Sequence, residues 1–380
     1  MKSFARNFAA ILATVISFTA LAQSSTIPAP NLAARSFALL DYQSNQLLTS
    51  QKPDERTDPA SLTKLMTAYI AFAAVKQKQI ALNQTVPVSP HAWKAEGSRM
   101  FIEPNKPVTV DELLHGMIIQ SGNDASITLA EAIAGSEDLF AQLMNKEAKR
   151  LGMNNTNFMN ATGLPNKQHY STASDMAKLA MAIIRDFPEF FPLYSQKDYA
   201  YNNITQPNRN QLLWRDKFVD GMKTGHTEAA GFCLVSTAKR GDRRLISVVL
   251  GTASDNARTT ESQKLLNYGF QFYDTQRLYS KGQSIASLDL LKGEKNKVSA
   301  GFQDDLYLTL PREQFAKIKA TLSTTQPLLA PLNVGQKIGS MKLTIDNATV
   351  AEYPVVALEN VPIAGFFGRA WDSLKLLWKK

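Results

Sequence analysis

The chain has 380 residues, 44% of them hydrophobic and 20% charged, an ordinary globular composition long enough for one large core or for a large domain and a small one, and this excludes a disordered chain. Its formal charge of +9 favours anionic partners; nucleic acid is the generic choice for a basic protein, but the leader described next makes an anionic membrane surface or an anionic substrate the better one. Four histidines and one cysteine, none paired at ligand spacing, argue against zinc, and no cofactor is expected.

The first residues, "MKSFARNFAAILATVISFTALAQS", place Lys2 and Arg6 before an apolar run that ends in Ala20-Leu21-Ala22. This is the pattern of a cleaved signal peptide over residues 1–22. The run is shorter than the ~20 residues of a spanning helix, so export is preferred to a retained anchor, and the exported chain would carry +7. A lone cysteine, Cys233, cannot form an intramolecular disulfide; its setting in "GFCLVSTA" reads as a strand interior, where it would be buried as a small hydrophobe.

"RSFALLDYQSNQLLTSQ" gives two short apolar runs around Ser44-Asn45 and reads as a β-hairpin. "PASLTKLMTAYIAFAAV" follows, a helix apolar almost all the way round that nonetheless carries Lys64 in its first turn, three residues after Ser61. The middle of the chain is helical in "VDELLHGMII", "DASITLAEAIA", "SEDLFAQLMNKEAKRLG" with Ser136 as N-cap and Gly152 past its end, and "STASDMAKLAMAIIRDF" stopped by Pro188. Strand patterns return in "VDGMKTGHT", "AGFCLVSTAKR" and "RRLISVVLGTA", before a helix near "ESQKLLNYGFQFY". A strand pair, a helical block and further strands predict an α/β sandwich whose sheet is completed by both ends of the segment.

From residue 278 the character changes. "DDLYLTLP" alternates Leu306, Leu308 and Leu310, and "GSMKLTID" alternates Met341, Leu343 and Ile345, predicting a small β-domain over residues 278–360 after a domain spanning residues 23–277. "VPIAGFFGRAWDSLKLLWKK", residues 361–380, places Ile363, Phe366, Phe367, Ala370, Trp371, Leu374, Leu377 and Trp378 on one helical stripe. Most amphipathic helices dock on their own domain. The terminal position, two tryptophans in the stripe and the basic polar face instead describe a helix lying in a membrane interface.

Residues i and i+3 of a helix share a face, so Ser61 and Lys64 bring a hydroxyl within reach of an amine. Burial of the rest of the helix desolvates that amine and makes a neutral base available near neutral pH. A serine-x-x-lysine should occur about once or twice by chance in a chain of this size; Ser236 and Lys239 are a second instance, in a predicted strand where the geometry fails. "QSGND" places Ser121, Gly122 and Asn123 in a turn between two predicted helices, and "DGMKTGHTEAAG" places Lys223, Thr224 and Gly225 on a strand. Each tripeptide is expected on the order of 0.1 times per chain.

Together these three motifs are those of penicillin-binding proteins and class A β-lactamases, and the chain closely resembles a low-molecular-mass penicillin-binding protein, a D-alanyl-D-alanine carboxypeptidase of bacterial cell walls. The resemblance runs through "DPASLTKLMTAY", "IQSGNDA", "NRNQLLW", "VDGMKTGHTEAAGF", the β-domain and the terminal helix. It implies a penicillin-binding/β-lactamase-like transpeptidase fold of mixed α and β structure, an antiparallel sheet with a helical block. It also implies a serine hydrolase that shortens the pentapeptide stem of peptidoglycan by one D-alanine and is acylated by β-lactams. The enzyme would act at the periplasmic face of the cytoplasmic membrane.

Carried to this chain, the resemblance gives Ser61 the attack and Lys64 the proton, with Ser121 relaying a proton to the leaving amine and Asn123 holding Lys64 and the substrate amide. Backbone N–H groups of Ser61 and His226 would form the oxyanion hole. Lys223 and Thr224 would face the terminal carboxylate, Gly225 would let the substrate backbone lie along the strand edge, and Arg209 and Arg258 occupy positions where the family has arginines near that carboxylate; read alone, both are ordinary surface arginines. Independently of the family, the charge of Lys223 would lower the pKa of Lys64. Thr162 stands where relatives often carry the histidine of a histidine-glycine-leucine run, which bears on the rate of acyl-enzyme hydrolysis, and Cys233 is not at the position of the cysteine some relatives keep beside the serine-glycine-asparagine turn.

Three other readings share parts of this pattern. A class A β-lactamase would need a glutamate for its deacylating water; the loop from residue 160 to 172 has none, and Gly122 stands where that class has aspartate. A DD-endopeptidase would carry the same motifs, and a non-enzymatic wall scaffold or penicillin trap could retain them.

Overall fold

The computed structural model describes residues 27–366 and Asp372. The leader at residues 1–22 and most of the helix expected over residues 361–380 lie outside the described residues.

Strand β1 (Ser36–Asp41) and β2 (Leu47–Gln51) form the expected hairpin. A 3-10 turn (Ala60–Thr63) leads into α1 (Lys64–Lys76). The short pair β3 (Thr85–Val86) and β4 (Val108–Thr109) encloses α2 (Pro90–Trp93), and the helical block continues through α3 (Val110–Ile119), α4 (Asn123–Ala134), α5 (Glu137–Arg150) and α6 (Ala173–Asp186). Their ends follow local chemistry: Thr109 and Glu112 make a reciprocal capping box at α3, Ser136 caps α5 through Leu139, and Gly152, at φ +73°, follows α5. The cap of α6 is Thr172.

After a second 3-10 turn (Phe191–Ser195) come β5 (Asp198–Tyr201), β6 (Ile204–Pro207) and α7 (Leu212–Arg215), then β7 (Val219–Thr227), β8 (Gly231–Arg240), β9 (Arg243–Thr252) and α8 (Asp255–Phe272). The central sheet is antiparallel with order β2-β1-β9-β8-β7. The N-terminal strand β1 pairs with β9, Phe37 opposite Val249, so the sheet is closed by segments about 200 residues apart in sequence, as both ends of the segment predict. β7 is left as an edge.

Alternation along the strands sorts side chains to two cores. Phe37 and Leu39 of β1 join Leu245 and Val249 of β9 against Leu265 and Leu266 of α8 on one face; Ala38 and Leu40 join Ile246 and Val248 against the helical block on the other. α1 lies within that block, buried from Lys64 through Phe72, which is why it is apolar on every side.

The chain passes from α8 directly into β10 (Tyr273–Tyr279), which pairs with β13 (Leu306–Pro311), so a strand of the second unit runs across the residue 277/278 boundary. With β11 (Ser284–Leu291), β12 (Lys297–Gly301), β14 (Lys319–Thr324), β15 (Leu328–Leu329), β16 (Lys337–Ile345) and β17 (Ala348–Ala357) it makes an all-β domain whose larger sheet has the order β14-β16-β17-β12-β11-β15. Leu306, Leu308, Leu310, Met341, Leu343 and Ile345 enter its core. Val361 also belongs to that core and bridges Leu332, while Ile363 bridges Gly293. The helical reading therefore does not hold at residues 361–363, where bridging to the β-domain takes precedence over helical periodicity.

The two domains meet through buried polar groups. Asp41, fully buried, accepts from Arg243 Nε at 3.0 Å and Thr275 Oγ1 at 2.6 Å. Thr309 pairs with Ser44 at 2.6 Å and donates its backbone N–H to Gln46 Oε1 at 2.6 Å.

Candidate active site

The sequence 58–64 turns sharply before α1. Asp58 Oδ1 accepts the N–H of Ala60 at 2.7 Å, Ala60 takes φ +45°, and the 3-10 turn that follows presents Ser61 one turn below Lys64. Asp58 Oδ2 also receives Thr227 Oγ1 at 3.0 Å, fixing this turn to the end of β7.

Lys64 is 1% exposed, and its Nζ has three partners: Ser61 Oγ at 3.1 Å, Asn123 Oδ1 at 2.6 Å and the Thr162 carbonyl at 2.6 Å. The last two can only accept. A neutral amine has two N–H groups and one lone pair, so with both N–H groups on carbonyl oxygens the lone pair is directed at the serine hydroxyl. Burial, reinforced by the positive charge of Arg209 and opposed by Asp124 and Glu137, brings the Lys64 pKa down to about 7. The neutral form is thus populated near neutral pH.

Asn123 opens α4, and its side chain spans two elements: Oδ1 holds Lys64 while Nδ2 donates to the Glu96 carbonyl at 2.6 Å. Its expected hold on Lys64 is present, and the loop before residue 100 engages one of the two N–H donors of its amide nitrogen. Asp124 fixes that loop by accepting the N–H groups of Met100, Phe101 and Ile102. Ser121, at φ +70°, faces the cleft and accepts from Lys223 Nζ at 2.8 Å.

Lys223 differs from expectation. It is buried behind Ser121, donates also to the Thr224 carbonyl at 3.1 Å, and does not line the cleft. Successive side chains on a strand leave on opposite faces, so of Lys223 and Thr224 only Thr224 meets the cleft directly. Burial first, then the charges of Lys64 and Arg209, hold Lys223 well below the ordinary lysine pKa. Arg209 is a cation that weighs on Lys64, and the repulsion between Lys64 and Lys223 that the sequence suggested is present too, lowering the pKa of Lys223.

Gly225 is also explained differently. A Cβ there would stand 3.0 Å from the Pro59 carbonyl and 3.2 Å from Leu62 N; the missing side chain lets β7 pack on the 3-10 turn that carries Ser61. His226 is exposed and stacks on Phe232 with centroids 3.9 Å apart.

A cleft of about 900 Å³ runs along the β7 edge, lined by Ser61, Ser121, Thr224, Gly225 and His226. Arg209, whose Nε donates to the Gln120 carbonyl at 3.1 Å, and Arg258, which is buried, pairs with Asp255 and donates to the Gly225 carbonyl at 3.2 Å, line it too. Both arginines thus belong to the site rather than to the general surface. The sequence passed over Gln206, Trp214 and Arg215, which extend this cleft; Trp214 lay within the quoted "NRNQLLW". It also passed over the Glu96 and Thr162 carbonyls, for which no side-chain signal exists.

Ser236 and Lys239 lie in β8, Ser236 buried within the sheet. Cys233 is fully buried, and burial pushes its thiol up to about 11.

A sheet with an open edge, a serine one turn below a desolvated lysine, and a cationic cleft along that edge define a penicillin-binding serine hydrolase fold. Residues 23–254 match the peptidase S11 family of D-alanyl-D-alanine carboxypeptidases, and residues 273–362 match the C-terminal domain of penicillin-binding protein 5. The chain belongs to this D-alanyl-D-alanine carboxypeptidase family. It is 42% identical over 385 aligned residues to the D-alanyl-D-alanine carboxypeptidase DacC of Escherichia coli K12, covering 99% of this chain and 96% of the relative. The structure of penicillin-binding protein 5 from Haemophilus influenzae superposes with a TM-score of 0.86 at 40% identity, over 88% of this chain and 99% of that one. Penicillin-binding protein D2 from Listeria monocytogenes in its ampicillin-bound form does so with a TM-score of 0.60 at 30% identity, over 64% and 100%.

Proposed function

We propose that the protein is a serine D-Ala-D-Ala carboxypeptidase that removes the terminal D-alanine from peptidoglycan pentapeptide stems and is acylated by β-lactams. The observation that carries this reading is the aim of Lys64. Ser61 Oγ attacks the carbonyl between the two D-alanines as its proton passes to Lys64 Nζ; the C–N bond then breaks as the leaving amine takes that proton from Lys64 by way of Ser121, which returns Lys64 to the neutral amine. Backbone N–H groups of Ser61 and His226 serve the oxyanion. Water, giving its proton to Lys64, then attacks the ester, and Ser61 leaves with that proton. Arg209, Thr224 and Arg258 hold the substrate carboxylate, while Lys223 fixes Ser121.

Release of D-alanine from a stem pentapeptide by the soluble chain, and none by Ser61→Ala, is expected. A chain that releases none, yet cuts cross-linked dimers, would be an endopeptidase.

The site of action follows from residues outside the described ones. The leader exports the chain, and the tail beyond Ile363 lies in the outer leaflet of the cytoplasmic membrane, where each fully buried aromatic or leucine contributes about 1.5–3 kcal/mol and lysines add attraction to anionic lipid. Among the described residues no helix is long and apolar enough to cross a membrane. Because Val361 is buried in the β-domain core, the truncation that tests this ends after residue 364. That chain is expected to stay in solution beside anionic vesicles; sedimentation with them would refute the anchor.

A further inference from the structure

One of the two carbonyls that aim Lys64 belongs to Thr162, in a turn outside the three motifs. Residues 160–164 fold around Asn160, whose Oδ1 accepts from Thr162 N at 3.2 Å and Gly163 N at 2.7 Å and whose Nδ2 donates to the Leu164 carbonyl at 3.0 Å. Gly163, at φ +84°, presses on the residue before the nucleophile: a Cβ there would stand 1.8 Å from the Ala60 carbonyl. Inward movement of the turn is therefore blocked.

Outward movement is opposed at Ala161. Its carbonyl accepts from Thr67 Oγ1 at 2.7 Å, and its N–H donates to Glu137 Oε1 at 2.9 Å. Glu137 is the first residue of α5, behind the Ser136 cap, and its second oxygen meets His91 Nε2 at 3.1 Å. Its carboxylate stands between the turn and a cavity of about 440 Å³ lined by His91, Lys94, Glu96, Asn160 and Thr162. It touches neither Ser61 nor the substrate cleft.

We propose that Glu137 is a positioning residue of this enzyme: by holding the N–H of Ala161 it fixes the Thr162 carbonyl against Lys64, so that the lone pair of the amine stays on Ser61. The inference rests on the reading of Ser61 and Lys64 as nucleophile and base. A second effect accompanies it, because a carboxylate beside a buried lysine favours the ammonium form. The charges facing Lys64 come from Asp124 on α4, Glu137 on α5, Arg209 in the loop before α7 and Lys223 on β7, with the buried imidazole of His169 held neutral beside them. Those facing Glu137 are His91 on α2 and Lys94 just beyond it.

The two effects separate in two variants. Acylation by a fluorescent penicillin is followed from pH 5 to 9 in the full chain, with the labelled residue mapped by peptide analysis. Glu137→Ala, which loses the strap, is expected to acylate on the order of tenfold slower at every pH, a fraction of the ~10²–10⁴ that a positioned base supplies. Glu137→Gln is isosteric and keeps an oxygen for Ala161; it is expected to hold the plateau rate within about threefold while its midpoint moves to lower pH. A merely structural role would leave the midpoint alone, and Glu137→Gln keeps the test valid should Glu137→Ala fold poorly. Wild-type rates and midpoints in both variants, with label on Ser61, would overturn the inference. Absence of label on Ser61 in the wild-type chain would overturn the assignment beneath it as well.

Discussion

Gly225→Ala tests whether the lysine-threonine-glycine strand serves the nucleophile or only the substrate. The new Cβ would stand 3.0 Å from the Pro59 carbonyl and 3.2 Å from Leu62 N, both backbone atoms. Ordinary contact begins near 3.4 Å, so strand and turn must part by about 0.4 Å. A 1 Å misplacement of a catalytic group costs about 10²-fold, and 0.4 Å then corresponds to about sixfold, felt at Ser61 because the turn that yields is the one that carries it. Overpacking adds about 1–3 kcal/mol of destabilisation. Stopped-flow acylation of Gly225→Ala beside wild type, with thermal melts of both, gives the answer. A five- to tenfold slower acylation step with a modest drop in melting temperature is expected. Unchanged acylation with weaker binding of the pentapeptide alone would mean that Gly225 acts on the substrate side and that the packing argument is wrong.

Three further outcomes are expected. Acylation should rise with pH through about 7, where Lys64 becomes the neutral base, and fall about tenfold per unit well below it; a flat profile between pH 5 and 8 would remove Lys64 from that role. Cys233, buried with its thiol pushed up to about 11, should resist iodoacetamide at pH 8 in the native protein and react after denaturation, as mass spectrometry will show. Asp41→Ala, which strips a buried carboxylate from Arg243, should destabilise by about 3–5 kcal/mol in urea melts, and a loss under 1 kcal/mol would show that the domain junction does not depend on it.

Much of the fold was legible because periodicity and caps agree along this chain. The helix over "VDELLHGMII" and the strand over "VDGMKTGHT" coincide with α3 and β7 residue for residue. The hairpin β5–β6 was readable but passed over: Asn202 and Asn203 both take positive φ at its tip, as an Asn-Asn pair between alternating residues allows. In the β-domain only two of the strands stood out, since much of β11 and β14 is half-exposed and carries no clean alternation. At the site, residue types revealed who takes part but not what each touches. Lys223 and Thr224 are neighbours in sequence and opposites on the strand, and Asn123 gives one of its two amide N–H groups to a backbone carbonyl. The carbonyls of Glu96 and Thr162 could not be found at all, because a backbone oxygen has no letter in the sequence.

The joint between the domains has a mechanical meaning. Asp41 and Arg243 sit at adjoining ends of β1 and β9, whereas the cleft follows β7. Three strand spacings, about 14 Å of hydrogen-bonded sheet, separate β1 from β7. A torque applied through the β-domain enters the sheet at β1, on the side away from the cleft. The joint and the edge that lines the cleft thus lie on opposite sides of the sheet.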